Sequence, residues 1–120
     1  MNLDSLRRYL LEKRGAVEEF PFGPETPVCK VGGKMFALIF FDGDLLCLNL
    51  KSDPDHARVL REFYPAVLPG YHMNKRHWNT VLVDGSIPED ELQSMIDDSY
   101  ALVVAGLSRE AKKALVPCNP

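Results

Sequence analysis

The sequence predicts a single α+β domain of two layers: an antiparallel sheet, built as a meander plus one later strand, packed by N-terminal, middle and C-terminal helices. Three observations carry this expectation. Apolar, β-prone runs between Pro27 and Leu50 are separated by Gly32-Gly33 and Asp42-Gly43-Asp44, residues that accept the positive φ angles of short hairpin turns. Helical periodicity flanks that block instead of alternating with its strands, as a doubly wound α/β chain would require. With 120 residues, 46% of them hydrophobic and 26% charged, the chain can bury about two-thirds of its unfolded surface, so a core is expected without disulfides or metal.

In order along the chain, Leu3, Leu6 and Leu10 recur at i, i+3 and i+7, which predicts an amphipathic helix over 3–14. It opens near Asn2 or Asp4 and is ended by Gly15, with Lys13 and Arg14 at the negative pole of its dipole. Glu18 to Phe22 reads as a first edge strand. The stretch Pro-Phe-Gly-Pro-Glu-Thr-Pro (21–27) then interrupts regular structure, because proline lacks the N–H that a ladder needs. Strands follow over Pro27–Val31, Met35–Phe41 and Leu45–Leu50. Met35–Phe41 is apolar on both alternating faces, so it is either covered on each side or lines a partner surface on one. Cys29 and Cys47 fall inside strands as small buried hydrophobes.

Ser52-Asp53-Pro54 starts a second helix, with an oxygen acceptor for the N-cap and a proline where its missing N–H costs nothing. It runs to about Tyr64, ends before Pro65 and offers Val59, Leu60 and Phe63 for burial, with His56 and Arg58 on its surface. Trp78 to Val83 forms the last strand, closed by Asp84-Gly85. Ser86-Ile-Pro-Glu89 has the Ser-x-x-Glu capping-box pattern, and Glu89, Asp90 and Glu91 favour the positive end of a helix dipole. Leu92, Ile96 and Val103, with Met95 and Leu102 beside them, mark the main core helix. Ser108–Leu115 reads as a separate short helix or a frayed extension. The domain is expected to span 1–116, with 117–120 as a tail.

Several function classes find no support. Cys29, Cys47 and Cys118 are odd in number and without Cys-x-x-Cys spacing, which argues against a disulfide framework and a zinc cage. Met1 leads into Asn-Leu-Asp-Ser with neither a basic nor an apolar leader region, and no apolar run approaches the roughly 18 residues of a membrane span. A cytoplasmic protein, neither exported nor membrane-embedded, is expected. Nucleophilic catalysis needs a base and an oxyanion site near Ser, Cys or Thr, and there is no Gly-x-Ser-x-Gly elbow. His72 and His77 are five apart in a loop, not at metal-ligand spacing on a helix. Gly32-Gly33-Lys34 is followed by a strand where a phosphate loop would have a helix. No enzyme activity, metal or cofactor is expected.

The stretch from Gly70 to Asp84 concentrates the unusual residues: two of the three His, the only Trp, and Lys75-Arg76 with no acid nearer than Asp84. Lys75, Arg76, His72 and His77 are donors for phosphates, Asn74 and Asn79 can reach base edges or backbone, and Trp78 or Tyr71 can stack on a base. Lys30, Lys34 and Lys51 extend this set if the sheet brings them near. The plainer alternative makes Trp78 a core anchor and Lys75-Arg76 a solvated loop. Net charge is −3, yet six acids and no base lie between Asp84 and Asp98, while three Lys face only Asp42 and Asp44 between Val28 and Lys51. The charges are segregated along the chain, which permits a local phosphate-binding surface on an acidic protein.

Pro-Phe-Gly-Pro-Glu-Thr-Pro-Val-Cys-Lys-Val-Gly-Gly-Lys-Met-Phe-Ala (21–37), Leu-Lys-Ser-Asp-Pro (50–54) and Gly-Tyr-His-Met-Asn-Lys-Arg-His-Trp-Asn-Thr-Val (70–81) follow an N-terminal helix. In this arrangement the chain closely resembles the MmcQ/YjbR family of small bacterial proteins, over about residues 3–115. The resemblance implies a CyaY-like α+β fold with a "double wing" and a DNA-binding label. It places the family motif on Lys30, Lys34, Lys51, His72, Asn74, Lys75, His77 and Trp78, with Arg76 basic. DNA binding through this loop and hairpin face is therefore the leading expectation, with a monomer favoured. The alternatives are a protein-interaction module that uses the same face through Tyr71, Met73 and Trp78, and a metal- or small-molecule-responsive domain.

Overall fold

The computed structural model describes residues 1–115. The chain runs α1 (Leu3–Leu11), β1 (Val17–Glu19), β2 (Val28–Val31), β3 (Lys34–Asp42), β4 (Leu45–Lys51), α2 (Pro54–Phe63), β5 (Val67–Pro69), β6 (Trp78–Leu82), α3 (Glu89–Ala105) and α4 (Arg109–Leu115). Its six strands form one antiparallel sheet in the order β1-β2-β3-β4-β6-β5. The two-layer α+β expectation holds, with Cys118 and the expected tail outside the described residues.

Both hairpin turns form at the expected glycines. Val31 pairs with Lys34 across Gly32 and Gly33, whose φ angles of 57° and 79° are those of a type I′ turn. Asp42 pairs with Leu45, and Gly43 supplies the single positive φ, 62°, at the first central position. Asn2 caps α1 reciprocally with Ser5: the Asn2 side chain accepts from the Ser5 N–H at 2.8 Å, and the Asn2 N–H donates to the Ser5 hydroxyl at 2.9 Å.

The core occupies one side of the sheet. Leu6 and Leu10 of α1 and Leu92, Ile96 and Val103 of α3 meet Leu46, Leu48 and Leu50, the alternate residues of β4. Each such side chain stabilises the fold by about 1.5–3 kcal/mol relative to exposure. A β-bulge adjusts β3 to this layer. Cys29 pairs with Ala37 but Lys30 with Met35, so Phe36 is an extra residue, and consecutive Phe36 and Ala37 are both buried. The Phe36 ring stands edge-on to Tyr100 at 5.3 Å. Its carbonyl accepts the Ser99 hydroxyl at 2.6 Å, and Ser99 Oγ in turn accepts the Lys51 N–H at 2.8 Å. One buried hydroxyl thus ties α3 to β3 and β4. Beyond the bulge Met35, Leu38 and Phe40 face away from the helices, and they are only half-buried. Of the two readings of β3, the strand covered on one side is the one that forms.

Other expectations are corrected. The capping box at Ser86 does not form: Pro88 caps α3 without a side-chain bond, while the Ser86 N–H and hydroxyl donate to Asp84 Oδ1 at 2.9 and 2.6 Å. Asp84, two residues upstream, outcompetes the helix for Ser86 by closing an Asx turn. These bonds hold the Asp84 carboxyl below its usual pKa. On α2, Val59 and Phe63 are 57% and 72% exposed and only Ala57 is buried, because the helix packs on β5 and β6 at the margin of the sheet. Leu102 is also partly exposed. Strand β5 was not anticipated: the prolines at 65 and 69 mask a short edge strand, which is where proline is tolerated. Likewise β1 stops at Glu19, before Pro21, and α1 stops at Leu11, short of Gly15. Among the described residues no helix is long and apolar enough to cross a membrane.

Candidate functional site

The loop from Gly70 to His77 joins edge strand β5 to β6, and buried polar groups fix its course. The Gly70 N–H donates to the Trp78 carbonyl at 2.9 Å. A Cβ there would lie 2.8 Å from both the Cβ and the carbonyl oxygen of Trp78, so only glycine fits. The chain then folds back over the open face of the sheet. Asn49 and Thr80, cross-strand partners on β4 and β6, are buried, and the Thr80 hydroxyl donates to Asn49 Oδ1 at 2.5 Å. Together they clasp one residue: the Tyr71 N–H donates to Thr80 Oγ1 at 2.8 Å, and Asn49 Nδ2 donates to the Tyr71 carbonyl at 3.1 Å. Their alternation opposite Leu48 and Val81 puts this clasp on the face away from α1 and α3.

Past the clasp the backbone reverses at His72, the one described non-glycine residue with positive φ, 59°. That conformation costs about 1–2 kcal/mol, which the clasp and the surrounding bonds must offset. The Tyr71 ring stacks at 26° to Phe40 with centroids 5.9 Å apart, and the His72 ring lies 4.1 Å from Tyr71. Asn74 makes the second bend: its Oδ1 accepts from the Arg76 N–H at 3.0 Å, and its carbonyl accepts from the His77 and Trp78 N–H groups at 3.2 and 2.9 Å. Lys75 and Arg76 stand exposed at the tip of this turn.

On one side the loop faces α2. The Arg61 guanidinium donates through Nε to Asn79 Oδ1 at 2.7 Å and through its terminal nitrogen to the Lys75 carbonyl. Asn79 Nδ2 donates to the Ala57 carbonyl at 3.3 Å, and the Ser52 N–H donates to the His77 carbonyl at 2.8 Å. Between helix and loop lies a cleft of about 400 Å³ in which Arg58, Arg61, Lys75 and Arg76 meet Pro54 and Asp55. Four cations share it with one carboxylate, Asp55, which pairs with Arg58 at 3.0 Å. Such a concentration of fixed positive charge attracts anions.

On its other side the same loop walls a cavity of about 430 Å³ on the open face of the sheet. Met35, Leu38 and Phe40 of β3, with Asn49, form the floor; Tyr71, His72 and Met73 form one wall, Phe22 and Thr26 of the proline-rich segment the other. This segment is held by bonds from the Thr26 N–H to the Gly23 carbonyl and from the Ile39 N–H to the Pro27 carbonyl, at 3.2 and 2.9 Å.

The expected site residues are thus brought together only in part. Lys75 and Arg76 join a cluster, but with Arg58 and Arg61 rather than with Lys30 and Lys34. Lys30 pairs with Glu19 at 3.0 Å. It lies on β2, three strand spacings from β6, or roughly 14 Å. Lys34 is exposed just after the Gly32-Gly33 turn, and Lys51 pairs in register with Trp78. His72 belongs to the apolar cavity, and Asn74 builds the turn. His77 and Trp78 are half-buried, and the Trp78 backbone closes on Gly70, whose N–H its carbonyl accepts. Asn79 is buried and committed to Ala57 and Arg61, so it is unavailable to a base edge. Arg58 and Arg61 were missed; their i, i+3 spacing on one face of a helix that starts beside Lys51 was the signal.

The acidic segment does not line the cleft, though its Asp98 lies 3.8 Å from His56 on α2. Helix α3 packs on β3 and β4 from the core side, where Asp97 accepts the Tyr9 hydroxyl at 2.7 Å and pairs with Lys13. Burial pushes the Cys29 thiol up to about 12 and raises that of Cys47, so both are neutral at physiological pH. Among the described residues no three His, Cys, Asp or Glu side chains converge as metal ligands would.

The YjbR family model matches residues 11–102. The uncharacterised protein YbdF of Escherichia coli O157:H7 is 44% identical over 98 residues, which cover 82% of this chain and 80% of that one. The uncharacterised protein YjbR of Escherichia coli K12 is 33% identical over 116 residues, covering 97% and 98%. Among solved structures, the Deinococcus radiodurans protein DR2400 superposes with a TM-score of 0.88 at 39% identity, over 99% of this chain and 91% of that one. A Pseudomonas syringae protein superposes with a TM-score of 0.76 at 31% identity, over 86% and 99%.

Proposed function

The chain belongs to the YjbR family, and from that premise and the loop geometry we propose that it is a non-enzymatic DNA-binding domain that holds phosphates in the cleft between α2 and the Gly70–His77 loop. One observation carries the proposal: Arg58, Arg61, Lys75 and Arg76 converge in that cleft on a protein of net charge −3. Like charges repel, so their convergence on an acidic chain makes sense if an anion is to be held there. Arginine adds a planar fork of donors matched to phosphate oxygens. No acid of α3 lines the cleft itself, although Asp98 reaches His56 on α2 at 3.8 Å. Lys51, Lys34 and Lys30 are outlying contacts for a longer ligand. In this reading the domain works in the cytoplasm as a monomer, without metal or cofactor.

A second reading, a protein-docking face built on Tyr71, Met73 and Trp78, is favoured by the 59% exposure of Tyr71. The two differ in salt dependence. Labelled duplex and single-stranded DNA titrated at about 50 and 200 mM salt should bind with a logarithmic slope near −0.9 per duplex phosphate neutralised. The Lys75→Ala/Arg76→Ala variant should lose about two from that slope and about tenfold in affinity at the lower salt. Absence of binding at about 50 mM salt by folded protein would end the DNA reading and leave the docking face.

A further inference from the structure

We propose that the cavity on the open face of the sheet accepts an unpaired nucleobase, so that the domain prefers single-stranded nucleic acid over duplex. The inference rests on the phosphate reading and adds the part of the ligand that the cleft does not contact. A base is a flat, uncharged aromatic body, and the cavity is built for such a body. Phe22, Phe40 and Tyr71 supply three aromatic rings, and Met35 and Met73 supply polarisable thioethers that adapt to a ring edge. No Asp, Glu, Lys or Arg side chain lines it, so a charged ligand head finds no fixed counter-charge there. Thr26 and His72 place polar groups where a base edge presents donors and acceptors, while Asn49 is committed to holding the wall. Its volume of about 430 Å³ lies within the range, about 300–1,000 Å³, of sites that take small organic molecules.

The position of the cavity selects a nucleic acid over other flat apolar molecules. One loop forms both sites: Tyr71, His72 and Met73 wall the cavity, and Lys75 and Arg76 begin the cleft two residues later. From Tyr71 to Lys75 the chain spans at most roughly 14 Å, within reach of a few nucleotides of one strand. A strand crossing the loop therefore sets a base against Phe40 and Tyr71 while a neighbouring phosphate enters the cationic cleft. Aromatic platforms beside a positive track are how single strands are held without regard to sequence. A duplex satisfies the cleft alone, because its bases stay stacked in the helix.

Two large exposed apolar groups otherwise lack a purpose: Phe22 is 69% exposed at the cavity rim, opposite Tyr71, which is itself mostly uncovered. A stacked base covers both. The reversed backbone at His72 brings its ring beside Tyr71 and widens the wall to two rings.

The test compares a labelled single strand, the same strand with abasic sites, and the duplex, each as DNA and RNA, at about 50 mM salt. Phe22→Ala removes an exposed ring without disturbing the core, Leu38→Trp fills the floor, and Lys75→Ala/Arg76→Ala strips the cleft. Wild-type protein should bind the intact single strand about tenfold more tightly than the abasic strand or duplex. Phe22→Ala and Leu38→Trp should erase that preference and leave duplex affinity within about twofold, and the cleft variant should weaken every ligand. A preference in only one of DNA or RNA supports the cavity and identifies the sugar it accepts. Equal or tighter binding of duplex, or a preference that survives both cavity variants, overturns the base site while the phosphate reading stands. Binding indifferent to the cleft variant overturns the phosphate reading, and no binding of any ligand overturns both.

Discussion

Asn49→Ala is expected to destabilise the protein by about 2–3 kcal/mol and to release the Gly70–His77 loop from the sheet. Asn49 is 2% exposed and serves two groups: its Oδ1 accepts the Thr80 hydroxyl, and its Nδ2 donates to the Tyr71 carbonyl. Alanine strips a partner from each, and the cost of a buried group left without its hydrogen bond exceeds the net value of the bond itself. The loss should appear as a lower urea midpoint with an unchanged slope. The loop should respond more than the core does, because the positive φ of His72 persists only while the clasp holds Tyr71 in place. The Asn49→Ala/Thr80→Val double variant should lose less than the sum of the two single variants, since each removes the other's partner. Strict additivity would mean that the two side chains do not act as one clasp.

Phe36→Ala should cost more, about 3–5 kcal/mol, a large share of the roughly 5–15 kcal/mol by which such domains are stable. The ring is fully buried by the bulge, set edge-on to Tyr100, and lies where Ser99 joins α3 to both β3 and β4. The helices cannot close over the vacancy without disrupting that junction. Yet Phe36 faces the core while Met35, Leu38 and Phe40 face the cavity, so nucleic-acid affinity measured well below the lowered melting temperature should stay within about twofold of wild type. The two substitutions thus separate the frame from the surface it presents. A Phe36→Ala variant with wild-type stability would show that the bulge does not bear on the core as described.

Much of the frame was legible in local sequence. Two-residue glycine turns, a double-faced apolar strand and the Leu92/Ile96/Val103 stripe are short-range signals, and each became the expected element. Part of the candidate site was legible for the same reason: Lys75 and Arg76 sit in a stretch whose composition stands out. The remainder depends on long-range register. Asn49 meets Tyr71 and Thr80 across 22 and 31 residues, and nothing near Asn49 marks the asparagine of Leu-Leu-Cys-Leu-Asn-Leu-Lys as a loop clasp. Arg58 and Arg61 became part of the cleft only because α2 lies at the sheet margin, a position set by the unanticipated strand β5. The same marginal position leaves Val59 and Phe63 in solvent, against the expectation that an apolar helix face is buried. Ser86 followed a capping pattern that Asp84, two residues away, overrode.

Amide and arginine side-chain resonances followed by NMR during a titration with a short single-stranded oligonucleotide at low salt address the binding loop most directly. The expected result is a set of perturbations confined to Tyr71–His77, the Arg58 and Arg61 guanidinium groups, and the cavity floor at Leu38 and Phe40. Perturbations centred on α3, or spectra that do not change while the oligonucleotide is in excess, would contradict the assignment of this loop as the nucleic-acid-binding element.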